Sequence, residues 1–291
     1  MLNDTTIISK SIPEASDDNV RVAAIQMASG PSVSANLKEA ARLIETAVSQ
    51  QARLIVLPEY FCIMGEKDTD KLAVKEQPGE GVIQSFLSET SKRFGIWLVG
   101  GSVPLASPDP NKVFNSCLVY DDCGRQVARY DKIHLFGLAL GNEQFAEERT
   151  IKAGDKVVAL ESPFGRIGLS ICYDLRFPEL YRMMGSVDII LAPAAFTAIT
   201  GKAHWEVLAR ARAIENLAYV IAPAQGGYHI NGRVTNGHSM IVDPWGVVMD
   251  RLPRGPGAVV AALNPEYQAS LRKSLPALDH RCLYDCRNSD R

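Results

Sequence analysis

Apolar positions along the chain follow two rhythms. Val20–Met27 (VRVAAIQM) and Leu54–Leu57 (LIVL) are short aliphatic runs, as expected of strands covered on both faces. Between them, Ala35–Gln51 carries Leu37, Ala41, Ile44 and Val48 on one helical face. Gly81–Phe94 repeats that pattern with Val82, Ile83, Phe86, Leu87 and Phe94, and Ile96–Val103 reads as the next strand. The spacing then shortens. Val113–Tyr120, a DDCG turn at Asp121–Gly124 and Gln126–Tyr130 predict a hairpin, and Lys156–Leu160 with Gly165–Cys172 predict a second. A helical FPELYRMM segment, the strand Asp188–Pro193, a helix over His204–Leu217 and the strand Tyr219–Ala224 follow. Ser239–Asp243, Val247–Arg251 and Ala258–Leu263 complete the strands, and Pro265–Leu275 is a last helix.

Alternation of helices and strands mixed with hairpins predicts an α/β protein whose sheets are each covered by helices on one side, rather than a doubly wound sheet. No Gly/Ser-rich linker, repeat or composition shift divides the chain, so residues 19–291 are expected to form one domain. Residues 1–18, polar and acidic, are expected to be a flexible leader without the features of a signal peptide.

Composition narrows the function classes. Lys+Arg 31 against Asp+Glu 33 gives a net charge of −2, which argues against a basic nucleic-acid stripe or a polybasic membrane anchor. No apolar run approaches the roughly 18 residues of a membrane helix. Six cysteines (62, 117, 123, 172, 282 and 286) are too few for a disulfide scaffold, which suggests a reducing compartment, the cytoplasm. Cys282 and Cys286 lie one helical turn apart without a histidine partner set, so no metal is expected there. No GxGxxG, HExxH or paired CxxC occurs. Gly227–Arg233 (GYHINGR) imitates a phosphate loop but has Arg for Lys, and Gly168–Cys172 (GLSIC) starts like a nucleophile elbow but ends in Cys.

Three polar residues stand at the ends of apolar runs: Glu59 in LIVLPEYF, Lys132 in RYDKIHLF and Cys172 in RIGLSICYDLRFPEL. Taken singly, each has a plain structural reading: a solvated glutamate, a surface lysine beside Asp131, a small buried hydrophobe. A helix beginning near Phe177 and Pro178 could lower the thiol pKa. Together the three supply a base, an oxyanion partner and a nucleophile, the set that acyl transfer needs. None of the histidines (134, 204, 229, 238, 280) is singled out as a cysteine partner by its context.

LPEYF, YDKIHLF and GLSICYDLRFPEL, in this order and spacing, resemble the Glu, Lys and Cys motifs of the nitrilase superfamily of carbon–nitrogen hydrolases. The resemblance spans about Val20 to His280. Ala195–Glu215 and Asn236–Gly246 look like the Nit branch, nearest to deaminated glutathione amidases and next to ω-amidases. The resemblance implies a four-layer α-β-β-α sandwich, a homodimer or higher homo-oligomer, no cofactor, and a second glutamate. Glu147 in FAEERTIKAG aligns with that glutamate, with Glu143 and Glu148 as competitors.

The implied activity is hydrolysis of a terminal carboxamide on a small carboxylate-bearing substrate, releasing ammonia through a Cys172 thioester. Glu59 would move the protons, Lys132 and the Tyr173 N–H would hold the oxyanion, and Glu147 would orient Lys132 or the leaving ammonia. Free Glu and Cys differ by about 4.2 pKa units, roughly 5.7 kcal/mol against proton transfer, so the site must bring the two values together. Arg176 could bind a substrate carboxylate, or instead pair with Asp174 or Glu179. Phe196 and Thr200 are expected in the pocket, and His204 and Trp205 in structural roles. Rival readings are an ω-amidase, a carbamoylase, or a silent interaction protein on the same fold.

Overall fold

A computed structural model describes residues 20–140 and 143–282, with the side chains of Leu140 and Glu143 left undescribed. The proposed leader and Cys286 lie outside the described residues.

Strand alternation generates the layers. In β1 (Arg21–Gln26), Val22 and Ala24 face one core while Ala23 and Ile25 face another. β2 (Ala52–Val56) divides in the same way, with Leu54 and Val56 opposed to Ile55. The first sheet adds β3 (Trp97–Val99), β4 (Val103–Ala106), β5 (Val113–Tyr120), β6 (Gln126–Asp131) and β15 (Gly257–Ala262), in the order β15-β1-β2-β3-β5-β4 with β6 on β5. Its outer face packs against α1 (Val33–Ser49) and α3 (Val82–Phe94) through Leu37, Ala40, Leu43, Ile44, Ile83 and Leu87. A short α2 (Asp70–Ala73) lies in the loop between β2 and α3. β7 (Gly137–Leu140) and β8 (Glu143–Ala146) form a separate two-stranded hairpin.

The second sheet runs β14-β13-β12-β11-β10-β9, made of β9 (Ala159–Ser162), β10 (Gly165–Leu169), β11 (Ile189–Leu191), β12 (Tyr219–Ala222), β13 (Ser239–Val242) and β14 (Val248–Leu252). α4 (Pro178–Met183) and α5 (Ala198–Asn216) cover it, and α6 (Pro265–Ser274) bonds through Gln268 and Arg272 to Asp188 and Leu217, which precede β11 and β12. One core cluster joins the inner faces of both sheets, which gives the α-β-β-α sandwich. Each sheet contains a parallel trio, β1-β2-β3 in the first and β10-β11-β12 in the second. Ligand sites in such sheets gather at the carboxyl ends of the strands.

Several boundaries shift by a few residues from the sequence reading, and three of the shifts have a clear local cause or bear on the elements near the site. Ile96–Val103 is not one strand, because Gly100 and Gly101 bend it into β3 and β4. A Cβ on Gly101 would lie 2.0 Å from the Pro58 carbonyl oxygen, so that close approach requires glycine. Lys156–Val158 precedes β9 rather than belonging to it. The helix expected from His204 begins at Ala198, because Thr197 caps it, its hydroxyl accepting from the Thr200 N–H at 3.3 Å.

Candidate active site

The strands deliver the polar residues to one place. Glu59 follows β2, its carbonyl accepting from Gln225 Nε2 at 3.0 Å across the sheets, while Tyr60 N–H donates to Ser102 Oγ at 2.9 Å. Lys132 follows β6 and is pinned to β5 by its N–H to the Asn115 carbonyl, 3.0 Å. Cys172 follows β10 at a turn, with its N–H on the Pro193 carbonyl at 2.9 Å and φ of +52°, the left-handed region that favours glycine. Glu147 opens the 3-10 turn Glu147–Arg149 after the β7–β8 hairpin.

Lys132 is the hub. Its Nζ donates to Glu59 Oε1 at 2.8 Å and to Glu147 Oε2 at 2.8 Å, and all but Glu147 are essentially without solvent contact (Lys132 0%, Glu59 1%). Further donors complete both carboxylates. Asn115 Nδ2 reaches Glu59 at 3.0 Å, and Tyr60 OH and the Phe136 N–H reach Glu147 at 2.7 Å each. Asp131 is turned to Ser116 and Arg129, not to Lys132. Glu148 is exposed, so of the competitors with described side chains it is Glu147 that meets the lysine.

A small cavity of ≈ 10 Å³, about the space of one water, is lined by Glu59, Glu147, Cys172, Tyr173, Arg176, Phe196 and Thr200. Seven sequence candidates thus share one cavity, with Lys132 bonded beneath them. Phe136, Ala195, Thr197 and Arg233 also line it. Sequence reasoning missed these, along with Asn115 and Tyr60. A buried asparagine within the apolar VFNSCLVY strand was a usable signal for Asn115. Among the described residues no histidine lines the cavity. His134 instead holds Asp174 Oδ1 at 2.7 Å, and Asp174 Oδ2 also receives Tyr130 OH (2.7 Å) and the Ile171 N–H (2.8 Å). That carboxylate ties the lysine loop to the cysteine turn. Asp174 is therefore not paired with Arg176, nor is Glu179. Arg176 approaches His204 Nδ1 at 3.2 Å and lies over the Tyr173 and Phe196 rings.

Electrostatics correct one expectation. The α-helix begins at Pro178, beyond a 3-10 turn over Cys172–Arg176, so no α-helix N-terminus abuts the sulfur. Burial, reinforced by the Glu59 carboxylate, holds the Cys172 thiol well above its ordinary pKa, with Lys132 and the Ala195 N–H opposing. Burial works against the Lys132 charge, but the Glu147 and Glu59 carboxylates outweigh it and raise its pKa. Burial likewise opposes ionised Glu147, and Lys132 prevails, keeping that carboxyl below its usual range. The resting site therefore holds a neutral thiol beside a permanent ammonium. The Tyr173 N–H has no acceptor among the described hydrogen bonds, whereas Cys172 and Asp174 donate to Pro193 and Ile171. An N–H of this kind can receive an oxyanion.

Residues 21–273 match the carbon–nitrogen hydrolase family model. The chain is 43% identical over 266 residues to a deaminated glutathione amidase of Synechocystis, covering 89% of this chain and 97% of that one. It is 34% identical over 279 residues to an omega-amidase of Saccharomyces cerevisiae, covering 90% and 93%. The crystal structure of that yeast protein, a member of branch 10 of the nitrilase superfamily, superposes with TM-score 0.79 at 31% identity over 93% of this chain and 97% of that one. The C. elegans NitFhit protein gives TM-score 0.83 at 36% identity over 90% of this chain and 65% of that one. The chain belongs to the carbon–nitrogen hydrolase family and is an amidase acting on carbon–nitrogen bonds other than peptide bonds.

Proposed function

We propose that Cys172 is the nucleophile of this amidase and that the substrate is a small amide bearing an α-keto acid, of the deaminated-glutathione type. The supporting observation is the buried Lys132 ammonium shared by Glu59 and Glu147 beneath the cavity that Cys172 lines. Cys172 Sγ bonds to the amide carbon while Glu59 takes the thiol proton, so sulfur gains nucleophilicity only as it attacks. Lys132 and the Tyr173 N–H hold the oxyanion. Glu59 then returns the proton to the leaving nitrogen as the C–N bond breaks. A water next attacks the thioester, giving its proton to Glu59, and the C–S bond breaks with a proton returned to sulfur. Glu147 keeps Lys132 charged and aimed. Arg176, over the Tyr173 and Phe196 rings and without an acidic partner among the described residues, binds the keto-acid carboxylate, and Thr200 on the first turn of α5 closes that side.

The leaving amine depends on the substrate. A primary amide such as α-ketoglutaramate releases ammonia, whereas the amide of deaminated glutathione releases cysteinylglycine. The test therefore follows the shared product, α-ketoglutarate, from both amides, alongside N-carbamoyl amino acids and nitriles. Hydrolysis of the keto-acid amides, lost in Cys172→Ala, is expected. Undiminished hydrolysis by Cys172→Ala would refute the assignment, and preference for carbamoyl substrates or nitriles would overturn the substrate class.

The same reading extends to assembly and place. The chain forms one domain and pairs through its outer helical layer, where Met183, Ile199, Val207 and Ile214 are exposed, together with the β13–β14 turn, where Trp245 and Val247 are. It acts in a reducing compartment, the cytoplasm, since an oxidised Cys172 could not attack. The described cysteines are unpaired, and no helix among the described residues is long and apolar enough to cross a membrane.

A further inference from the structure

Beyond the reaction cavity lies a second, larger space of ≈ 410 Å³. The two share Phe136, Glu147 and Arg233, so the larger one begins where the smaller one ends. Its walls come from the segment after Tyr60 up to Lys71, from the β7–β8 hairpin, and from Asn231–Arg233. A reaction cavity of ≈ 10 Å³ holds about one water, so a bound amide reaches past it on both sides of the scissile bond. With Arg176 assigned to the acyl side, the adjoining chamber, on the side of Glu147 and Arg233, is left for the substituent on the amide nitrogen.

The chamber holds cations without acidic partners. Arg233 stacks on Phe145 at 5.1 Å and donates to the Ala195 carbonyl, yet its buried Nε has no hydrogen-bond partner among the described residues. A tight turn fixes it, with the His229 N–H on the Arg233 carbonyl at 2.9 Å and the Arg233 N–H on Asn231 Oδ1 at 2.9 Å. Lys71 donates to Thr150 Oγ1 at 3.1 Å and lies over the Tyr60 ring. Neither joins an ion pair among the described residues, although arginines elsewhere do. The acidic lining residues are Glu147, already engaged by Lys132, and the exposed Glu66 and Asp68. A buried guanidinium nitrogen without an acceptor is costly unless a ligand supplies one.

We propose that this chamber is the leaving-group subsite, and that Arg233 with Lys71 binds a carboxylate carried by the departing amine. The dipeptide that leaves deaminated glutathione ends in such a carboxylate, and Arg233 with Lys71 is the pair that distinguishes it from a primary amide. This rests on the amidase reading above and adds a second anionic contact, separate from the one assigned to Arg176.

Two substrates on the unaltered protein test it: deaminated glutathione, and the same molecule with its glycine carboxylate converted to a carboxamide. Release of α-ketoglutarate is the readout. The carboxylate form should be preferred by about tenfold to a hundredfold in kcat/KM, the range of a charge-assisted hydrogen bond. In Arg233→Gln, and less so in Lys71→Met, that preference should shrink toward unity. Equal rates for the two forms in the unaltered protein, or a preference that survives both substitutions, would overturn the inference while leaving the amidase reading intact. Hydrolysis of α-ketoglutaramate with neither peptide amide accepted would do the same. If no amide at all were hydrolysed, both readings would fall.

Discussion

On the floor of the cavity Lys132 is fully buried, and each of its two carboxylate partners is completed by further donors. In the chamber beyond, Lys71 stands on the short helix α2 and Arg233 on the connection between β12 and β13, and neither has an acidic partner within salt-bridge distance among the described residues. The floor is built from strand ends of both sheets, so packing of the sandwich determines its geometry. The chamber is built from connections, whose shape can change without disturbing a sheet. On the proposed reading, chemistry belongs to the first region and choice of amine to the second. A closed charge network resists substitution because every member is needed, whereas an open one is left for a ligand to complete.

The sharpest way to break this comparison is to remove one cation from each region. Lys132→Met leaves two buried carboxylates without their counter-charge, which should destabilise the fold by about 3–5 kcal/mol. For a chain of this size that corresponds to a Tm loss of roughly 10 °C, with hydrolysis lost as well. Lys71→Met should shift Tm by no more than about 2 °C, because no carboxylate is stranded. Equal losses in thermal unfolding would show that the two regions do not differ as described.

A smaller effect concerns the thiol. Its raised pKa means that alkylation of Cys172 by iodoacetamide should be slow at neutral pH and should accelerate as pH rises beyond the ordinary thiol value of 9.0. A rate already at its plateau below pH 8, followed by mass spectrometry of the labelled peptide, would contradict a neutral resting thiol. The smallest effect is on acid stability. Glu147 is held below its ordinary value of 4.5, so its ionised form favours the native state above that pH. This contribution disappears as pH falls through the depressed native value. Glu147→Gln should therefore flatten the acid limb of a plot of Tm against pH, and an unchanged limb would place the acid-sensitive group elsewhere.

The floor was legible in the sequence because strand ends have a signature: LIVL runs into Glu59 and RIGLSI into Cys172, each polar residue directly after an apolar run. Glu147 was less so. It lies in an acidic stretch, and resemblance rather than periodicity distinguished it from Glu143 and Glu148. The chamber was hardly legible. Arg233 sits in GYHINGR, which as a sequence imitates a phosphate loop, and its place beside Glu147 arises only when β12 and β13 bring that connection against the β7–β8 hairpin. Thr197 carried a readable helix cap, yet the apolar residues around it concealed the boundary. The thiol pKa could not be read either, since it depends on burial and on carboxylates far away in sequence.

The left-handed backbone at Cys172 has a cost measured in stability. Holding a residue with a Cβ in that region costs about 1–3 kcal/mol, which glycine would avoid. The rest of the sandwich must absorb that penalty for the sulfur to project from its turn. Cys172→Gly should therefore unfold at a higher temperature than Cys172→Ala, although neither can form a thioester. Stability alone would favour glycine at this position; the sulfur that the proposed thioester route needs is what glycine cannot supply.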